Sequence, residues 1–464
     1  MTVMEKSAFV GAAPPSEAGP RHDGIAGLAA PPVVQLPPLA QTLRTSVRQA
    51  EFVFGARRRH GEVFRTRSKV IPGNPVVTSH PDHVKSLFTS NPAEAPSLTG
   101  ESPLRPIVGP NSALTALGAN HMRQRKLLLP PFHGEAIARY AEMISAAAER
   151  EIDRWPAGAT LRLAPRMQAI TLDVIMAGIF GIEGKLSRTS PEFRLRSVIR
   201  YLTWASTQPG SQVVELMNTG RAEPVGATRV AMELLDRATY PVIRARRREG
   251  TEGRNDILSI LLGATYEDGA PLTDVELRDQ LLTLVLAGHE TTANSLAWTF
   301  ERLVRHPEAY ADLKHAVRED VDAAAWVEAT ILESMRNRPV IPAIGRRVKV
   351  PWQLGEFGLE PETPVIMSII LLHHRDDLYP DPYAFRPERF LHHKPGTYEW
   401  IPFGGGIRRC LGATLAMAEL RVVLEAVTRR VDLEHVDPAP ERLVHRNVTM
   451  IPSRDATVRV TSKR

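Results

Sequence analysis

The sequence predicts a mainly α-helical protein with a minor β region, and three observations carry that prediction. Apolar residues recur at helical spacing through most of the stretch from Pro81 to Arg338, interrupted by clusters such as Pro209-Gly210 and Glu267-Asp268-Gly269-Ala270-Pro271. Short runs of strand character flank that stretch, at Val63 to Arg67, Pro75 to Ser79 and Arg347 to Leu372. Strands and helices do not alternate in the βαβ manner, which argues against a parallel α/β sheet.

In chain order, residues 1–44 are rich in proline and alanine and read as a flexible tail, with one domain over 45–464. The most apolar early stretch, Ile25 to Ala40, contains Pro31, Pro32, Pro37 and Pro38. It falls short of the ~20 residues that a spanning helix needs. No membrane anchor is therefore expected, nor is a secretory signal evident, and the expected location is cytoplasmic. An amphipathic segment ends near His60, and Pro72-Gly73-Asn74 is the turn between the first two strand runs. Thr273-Asp274-Val275-Glu276 forms a capping box that opens the longest helix, which should run to Arg305 because His306 precedes Pro307. At 1.5 Å per residue that helix is roughly 48 Å long. Its centre, Leu281 to Gly288, is apolar except for Thr283 and reads as buried on every side. Pro364-Val365-Ile366-Met367 reads as strand, and the last long helix begins after Cys410 and continues to about Arg430.

Composition narrows the chemistry. With 464 residues, 43% of them hydrophobic and 24% charged, the chain can bury a large core. Its single cysteine excludes an intrachain disulfide, a cysteine-ligated iron–sulfur cluster and a multi-cysteine zinc site. The net charge of +6 comes partly from Arg57-Arg58-Arg59 and Arg246-Arg247-Arg248. Such runs are usually solvated helix faces, no nucleic-acid-binding motif accompanies them, and an acidic protein partner suits the excess better.

The strongest signal is Phe403-Gly404-Gly405-Gly406-Ile407-Arg408-Arg409-Cys410-Leu411-Gly412, a glycine-rich turn that delivers the cysteine to the start of a helix. The helix dipole and free amides there favour a thiolate, the form that binds iron, and Phe403 would cover the apolar side of the sulfur. A second constellation is Ala287-Gly288-His289-Glu290-Thr291-Thr292, in the middle of the long helix. Small residues let something bulky approach the backbone, and an acid followed by a hydroxyl offers a proton relay. By itself, a threonine in a buried helix more often bonds its own i−4 carbonyl. A third is Glu333-Ser334-Met335-Arg336, whose acid and base share a helix face.

The cysteine decapeptide resembles the signature of cytochrome P450 enzymes at every fixed position, a chance match in roughly one chain in ten thousand. The similarity extends from about residue 45 to the C-terminus, and detail in the Pro32 to Pro38 run, Pro131-Phe132-His133-Gly134 and Trp400-Ile401-Pro402-Phe403 is similar to soluble actinobacterial members. The resemblance implies a cytochrome P450 fold, with haem b between the long central helix and the cysteine loop. It assigns Cys410 as the ligand of the iron, Phe403 to the cofactor's surroundings, and Arg408, His121, Arg125 and Arg346 to the haem propionates. Glu290 and Thr291 match the oxygen-activation pair, while Glu333, Arg336 and Arg389 match a structural triad.

The activity implied is a monooxygenase that uses O2 to oxidise a hydrophobic small molecule. No nucleotide-binding fingerprint occurs in the chain, so electrons must arrive from outside. By resemblance the donors are a ferredoxin and a ferredoxin reductase, docking over a basic face that Arg123, Lys126 and Arg409 help form. Pocket segments by the same comparison are 92–116, Leu284 to Thr292, Val340 to Ile344 and Val448 to Ile451. The chain departs from the pattern at Asn337-Arg338-Pro339-Val340, where many members carry paired prolines. Haem-thiolate enzymes that do not use O2 commonly lose the acid–threonine pair, and a haem sensor would carry a signalling domain.

Overall fold

Thr273 caps the long helix, Asp274–Arg305, as its sequence predicts: its hydroxyl accepts the Glu276 amide at 3.2 Å, and the Glu276 carboxylate accepts the Thr273 amide at 2.9 Å. The geometry comes from a computed structural model, which describes residues 25–464 apart from 133–134, 183–185, 207, 209, 219–220 and 447. His133, Gly134 and Pro209 of the motifs above thus lie outside the described residues. The long helix packs most extensively on Leu163–Phe180. That helix is apolar and long enough to cross a membrane by composition, and two thirds of it lies buried within the protein.

Burial of the long helix is not uniform. Leu281, Leu282, Thr283 and Val285 are buried, but Leu284, Leu286 and Gly288 are half-buried and Ala287 is exposed. An apolar stripe therefore fronts open space where the sequence predicts burial all round. Gly288 serves the helix pair instead, since a Cβ there would lie 2.6 Å from the Cδ1 of Ile175.

The β region forms as expected and extends further. Val63–Arg65 and Val76–Thr78 pair antiparallel, and Val76–Thr78 continues in parallel onto Pro364–Ser368, which pairs antiparallel with Ala343–Arg347. Sequence patterning does not anticipate a second sheet in which Thr457–Lys463 lies between Thr160–Arg162 and Val431–His435. Nor does it anticipate the hairpin of Leu443–Arg446 and Thr449–Pro452. The terminal helix, Ala413–Arg430, starts and stops where expected.

The described part of the tail expected over 1–44 is packed rather than flexible. Residues 1–24 lie outside the described residues. From Ile25 the chain is laid onto the protein: Ala29 bridges to Phe357, Val33 bridges to Arg65, and Val34 is buried. A helix follows at Pro38–Val47, with Gln41 fully buried, donating to the carbonyls of Val34 and Leu36 and accepting the amide of Arg67. Proline at the first position of a helix removes an amide that would have no partner there, so this composition does not oppose packing.

The Glu333–Arg336 pair is buried, as the triad requires. Arg336 donates to both oxygens of Glu333 at 2.7 and 2.8 Å, and both side chains are fully buried. Its remaining donors reach the carbonyls of His373, Pro382 and Ala384. Arg389 closes the triad at 3.2 Å from Glu333.

Candidate active site

The cysteine loop is shaped by its glycines and by one aromatic residue. Gly404 and Gly406 have φ of 65° and 61°, the left-handed region that glycine adopts without strain. Side chains at Gly405 or Gly406 would run into the ring and backbone of Phe88. The turn closes where the Cys410 amide donates to the Phe403 carbonyl at 2.9 Å. Phe403 is half-buried, with its ring edge-on to Trp400.

Cys410 is exposed at its own surface, although enough protein crowds the thiol to desolvate it. This burial pushes its pKa up, against a bond from the Gly412 backbone and the charges of Arg409 and Arg125. Sequence reasoning expects helix and amides to win and yield a thiolate. In the structure the helix begins only at Ala413, and desolvation prevails. A metal cation at the sulfur reverses this balance, because a coordinating thiol is deprotonated outright.

The candidate anion-binding residues converge beside the loop. A cleft is lined by Phe88, Leu117, His121, Arg346, Ile407 and Arg408, among others. His121 is buried, and its Nδ1 has no hydrogen-bond partner among the described residues. Desolvation, then the charges of Arg408, Arg125 and Arg346, push its pKa down to about 4. Arg346 is lowered to about 10 by burial, and Arg408 to about 10 by burial and the other two arginines. Arg408 donates only to carbonyls, at Ala113, Leu114 and Ala116, and Arg346 to that of Gly345. Arg125 stands slightly apart, bonded to the Arg409 carbonyl at 2.8 Å.

Crowded cations without carboxylates, and an imidazole nitrogen without a partner, among the described residues form a receptor for anionic groups. They fit the two propionates of haem b, with Cys410 available to its iron.

Segment 111–116 ties this proximal cluster to the long helix. Gln280 of that helix donates to Asn111 and accepts from the Ala113 amide, Thr283 donates to Ser112, and Arg408 of the cysteine loop holds the same segment from the other side.

Along the open stripe, Thr291 donates to the Ala287 carbonyl at 2.7 Å, the local bond a helical threonine favours. Glu290 is engaged elsewhere. Its Oε1 accepts from Nε and Nη2 of Arg446 at 3.2 and 2.9 Å, with Thr449 at 3.5 Å, and both charged side chains are only 12% exposed. Sequence reasoning missed Arg446. The one signal was a cation just ahead of the pocket segment Val448 to Ile451.

A second acid went unnoticed. Glu419 of the terminal helix is buried and bonded to Thr292; desolvation pushes its carboxyl up to about 8, and the Thr292 bond works the other way. The fold thus favours the neutral acid. Its contribution is complete below the unfolded-state pKa near 4.5 and is lost as pH rises through about 8. Urea unfolding across that window should show wild type losing stability more steeply than Glu419→Gln. Parallel pH dependences would mean that Glu419 is ionised in the fold.

Of the expected docking residues, Lys126 pairs with Glu267 at 2.6 Å, while Arg123 lies over the Tyr266 ring, 3.7 Å from Asp268. Only Arg409 is left exposed without a carboxylate among the described residues. At the departure from the family pattern, Arg338 sits 5.6 Å from the Trp298 ring and donates to the Asn337 side chain.

Comparison with known proteins identifies the family. The cytochrome P450 family pattern matches residues 31–458. Cytochrome P450 138 of Mycobacterium tuberculosis is 37% identical over 437 residues, covering 91% of this chain and 96% of the relative. Cytochrome P450 135B1 of the same organism is 35% identical over 454 residues, covering 95% and 93%. Among solved structures, retinoic acid-bound cyanobacterial CYP120A1 superposes with a TM-score of 0.77 at 24% identity, covering 94% of this chain and 100% of that one. With the family pattern over most of its length and relatives of this identity and coverage, the chain belongs to the cytochrome P450 family of haem b monooxygenases.

Proposed function

We propose that this monooxygenase oxidises a hydrophobic small molecule in the cytoplasm, with electrons from a ferredoxin and its reductase, and that Cys410 is its metal ligand. The observation that carries the residue assignment is the convergence of His121, Arg346 and Arg408, without carboxylate partners among the described residues, in a cleft lined also by Ile407 of the loop that holds the only cysteine. When bound, haem supplies O2 activation, and a thiolate ligand favours O–O cleavage. Arg346, Arg408 and His121 would hold the propionates by charge-assisted hydrogen bonds, and Arg125 would brace the loop through the Arg409 carbonyl. Phe88 packs against the glycines, and Phe403 fixes the cysteine backbone.

Proton delivery falls to Glu290 and Thr291. The Thr291 hydroxyl gives its proton to the Ala287 carbonyl and keeps its lone pairs free to accept a hydrogen bond from water. Glu290, one residue away, is held by Arg446, so its free Oε2 is the atom that can take up and pass on a proton. Half-buried Leu284 and exposed Ala287, one turn apart on the side of the helix that carries Thr291, support an apolar substrate. A ferredoxin with an acidic face would compete with Glu267 and Asp268 for Lys126 and Arg123 and meet Arg409 directly.

The test reconstitutes the haem-loaded enzyme with ferredoxin, reductase and NAD(P)H, screens apolar ligands by the Soret shift, and follows isotopic oxygen from O2 into product. Thr291→Ala should keep haem and substrate binding while product per NAD(P)H falls several-fold and peroxide rises. An unchanged ratio would make Thr291 a packing residue. Turnover that requires peroxide and ignores the ferredoxin would overturn the electron route.

A further inference from the structure

The helix Pro38–Val47 turns its apolar face to solvent. Leu39, Leu43 and Val47 recur every four residues and are 72%, 65% and 51% exposed, whereas Gln41, on the opposite face, is fully buried. In a surface helix packed for water the pattern is the reverse. The orientation is fixed, because the Gln41 amide group is bonded to Val34, Leu36 and Arg67. A stripe of this kind needs a covering surface.

The neighbouring charges say which surface. Arg44, on the same helix, shares a groove of about 440 Å3 with Arg58 and Arg59 of the next helix, over an apolar floor of Val34, Leu36 and Phe52. All three arginines are exposed and have no carboxylate partner among the described residues. Glu51, which also lines the groove, is engaged by Arg48 at 3.4 Å. An apolar stripe flanked by unpaired cations of one sign matches a surface with phosphates above hydrocarbon. A second copy of the chain would bring the same arginines face to face, where like charges repel.

We propose that this face docks on an anionic lipid bilayer, with Leu39, Leu43 and Val47 at the acyl boundary and Arg44, Arg58 and Arg59 on lipid phosphates. It is a reversible, peripheral contact made by a folded helix and does not depend on the electron route proposed above. An apolar substrate dissolved in the bilayer would then be concentrated at the enzyme.

Flotation of the haem-loaded enzyme with vesicles tests this. The enzyme should float with phosphatidylcholine–phosphatidylglycerol vesicles at low salt, and weakly with phosphatidylcholine alone or at high salt. Partitioning should fall about fivefold for each arginine replaced in Arg58→Ala and Arg59→Ala. The combined Leu39→Ser, Leu43→Ser and Val47→Ser variant should lose it while keeping the haem spectrum and the unfolding transition. Failure to float, equal binding to neutral and anionic vesicles, or a serine variant that floats like wild type would each overturn the proposal. So would a vesicle-free wild-type dimer that the serine variant converts to monomer, which would make the face an interface between copies.

Discussion

Glu333→Ala or Arg336→Ala is expected to leave almost no folded, haem-loaded protein. Both side chains are fully buried and bonded through two parallel N–H···O contacts, and the guanidinium spends its other donors on three carbonyls of residues 373–384. Removing the carboxylate leaves a buried cation, and removing the guanidinium leaves a buried anion that still accepts the Arg386 amide. Either loss is worth ~3–5 kcal/mol, a large part of the stability of a typical domain. An exposed pair such as Lys126–Glu267 would cost far less. Soluble yield and haem per chain measure the difference, with Lys126→Ala as the comparison. Near-normal yield of either buried variant would show that the proximal side is held by something else.

The second large effect is spectroscopic. With Cys410 as the only cysteine, reduced protein under CO should show the long-wavelength band of thiolate-ligated haem, and Cys410→Ala should lose it completely. Haem retention is a separate question, because the proposed propionate partners His121, Arg346 and Arg408 remain in place. The variant should bind haem more weakly and show a displaced Soret maximum. An unchanged thiolate band would remove Cys410 from the iron.

Local signals made most of the architecture legible. Thr273 and Glu276 lie within one turn of each other, and Pro307 follows directly on the end of the helix, so both limits of Asp274–Arg305 could be placed from neighbouring residues alone. The cysteine loop was legible for the same reason, since its glycines and its cysteine are contiguous. Arg446 was not. It meets Glu290 across 156 residues, through a hairpin of four-residue strands whose apolar pattern is too short to announce itself. Burial on the long helix differs from expectation at Ala287, because an apolar residue left exposed is indistinguishable in sequence from one facing a packed core. The helix at Pro38–Val47 defeated composition. Its prolines suggested an unpacked tail, yet the bonds of Gln41 are enough to fix it.

The last strand has a consequence for biosynthesis. Thr457–Lys463 is the middle strand of its sheet, pairing with Thr160–Arg162 and with Val431–His435. Met450, shortly before it, accepts the indole N–H of Trp298 from the long helix. The centre of the protein therefore waits for the segment from Met450 to Lys463. While the ribosome is still at work, the apolar flank of the long helix and the edge of Thr160–Arg162 have nothing to close on, and such surfaces invite association with other nascent chains. Contacts of this sequence separation also slow the final collapse, because the entropy of closing a loop of some three hundred residues must be overcome before any of them is rewarded. Synthesis of Thr457–Lys463, rather than completion of the N-terminal helices, is the step that lets this sheet close.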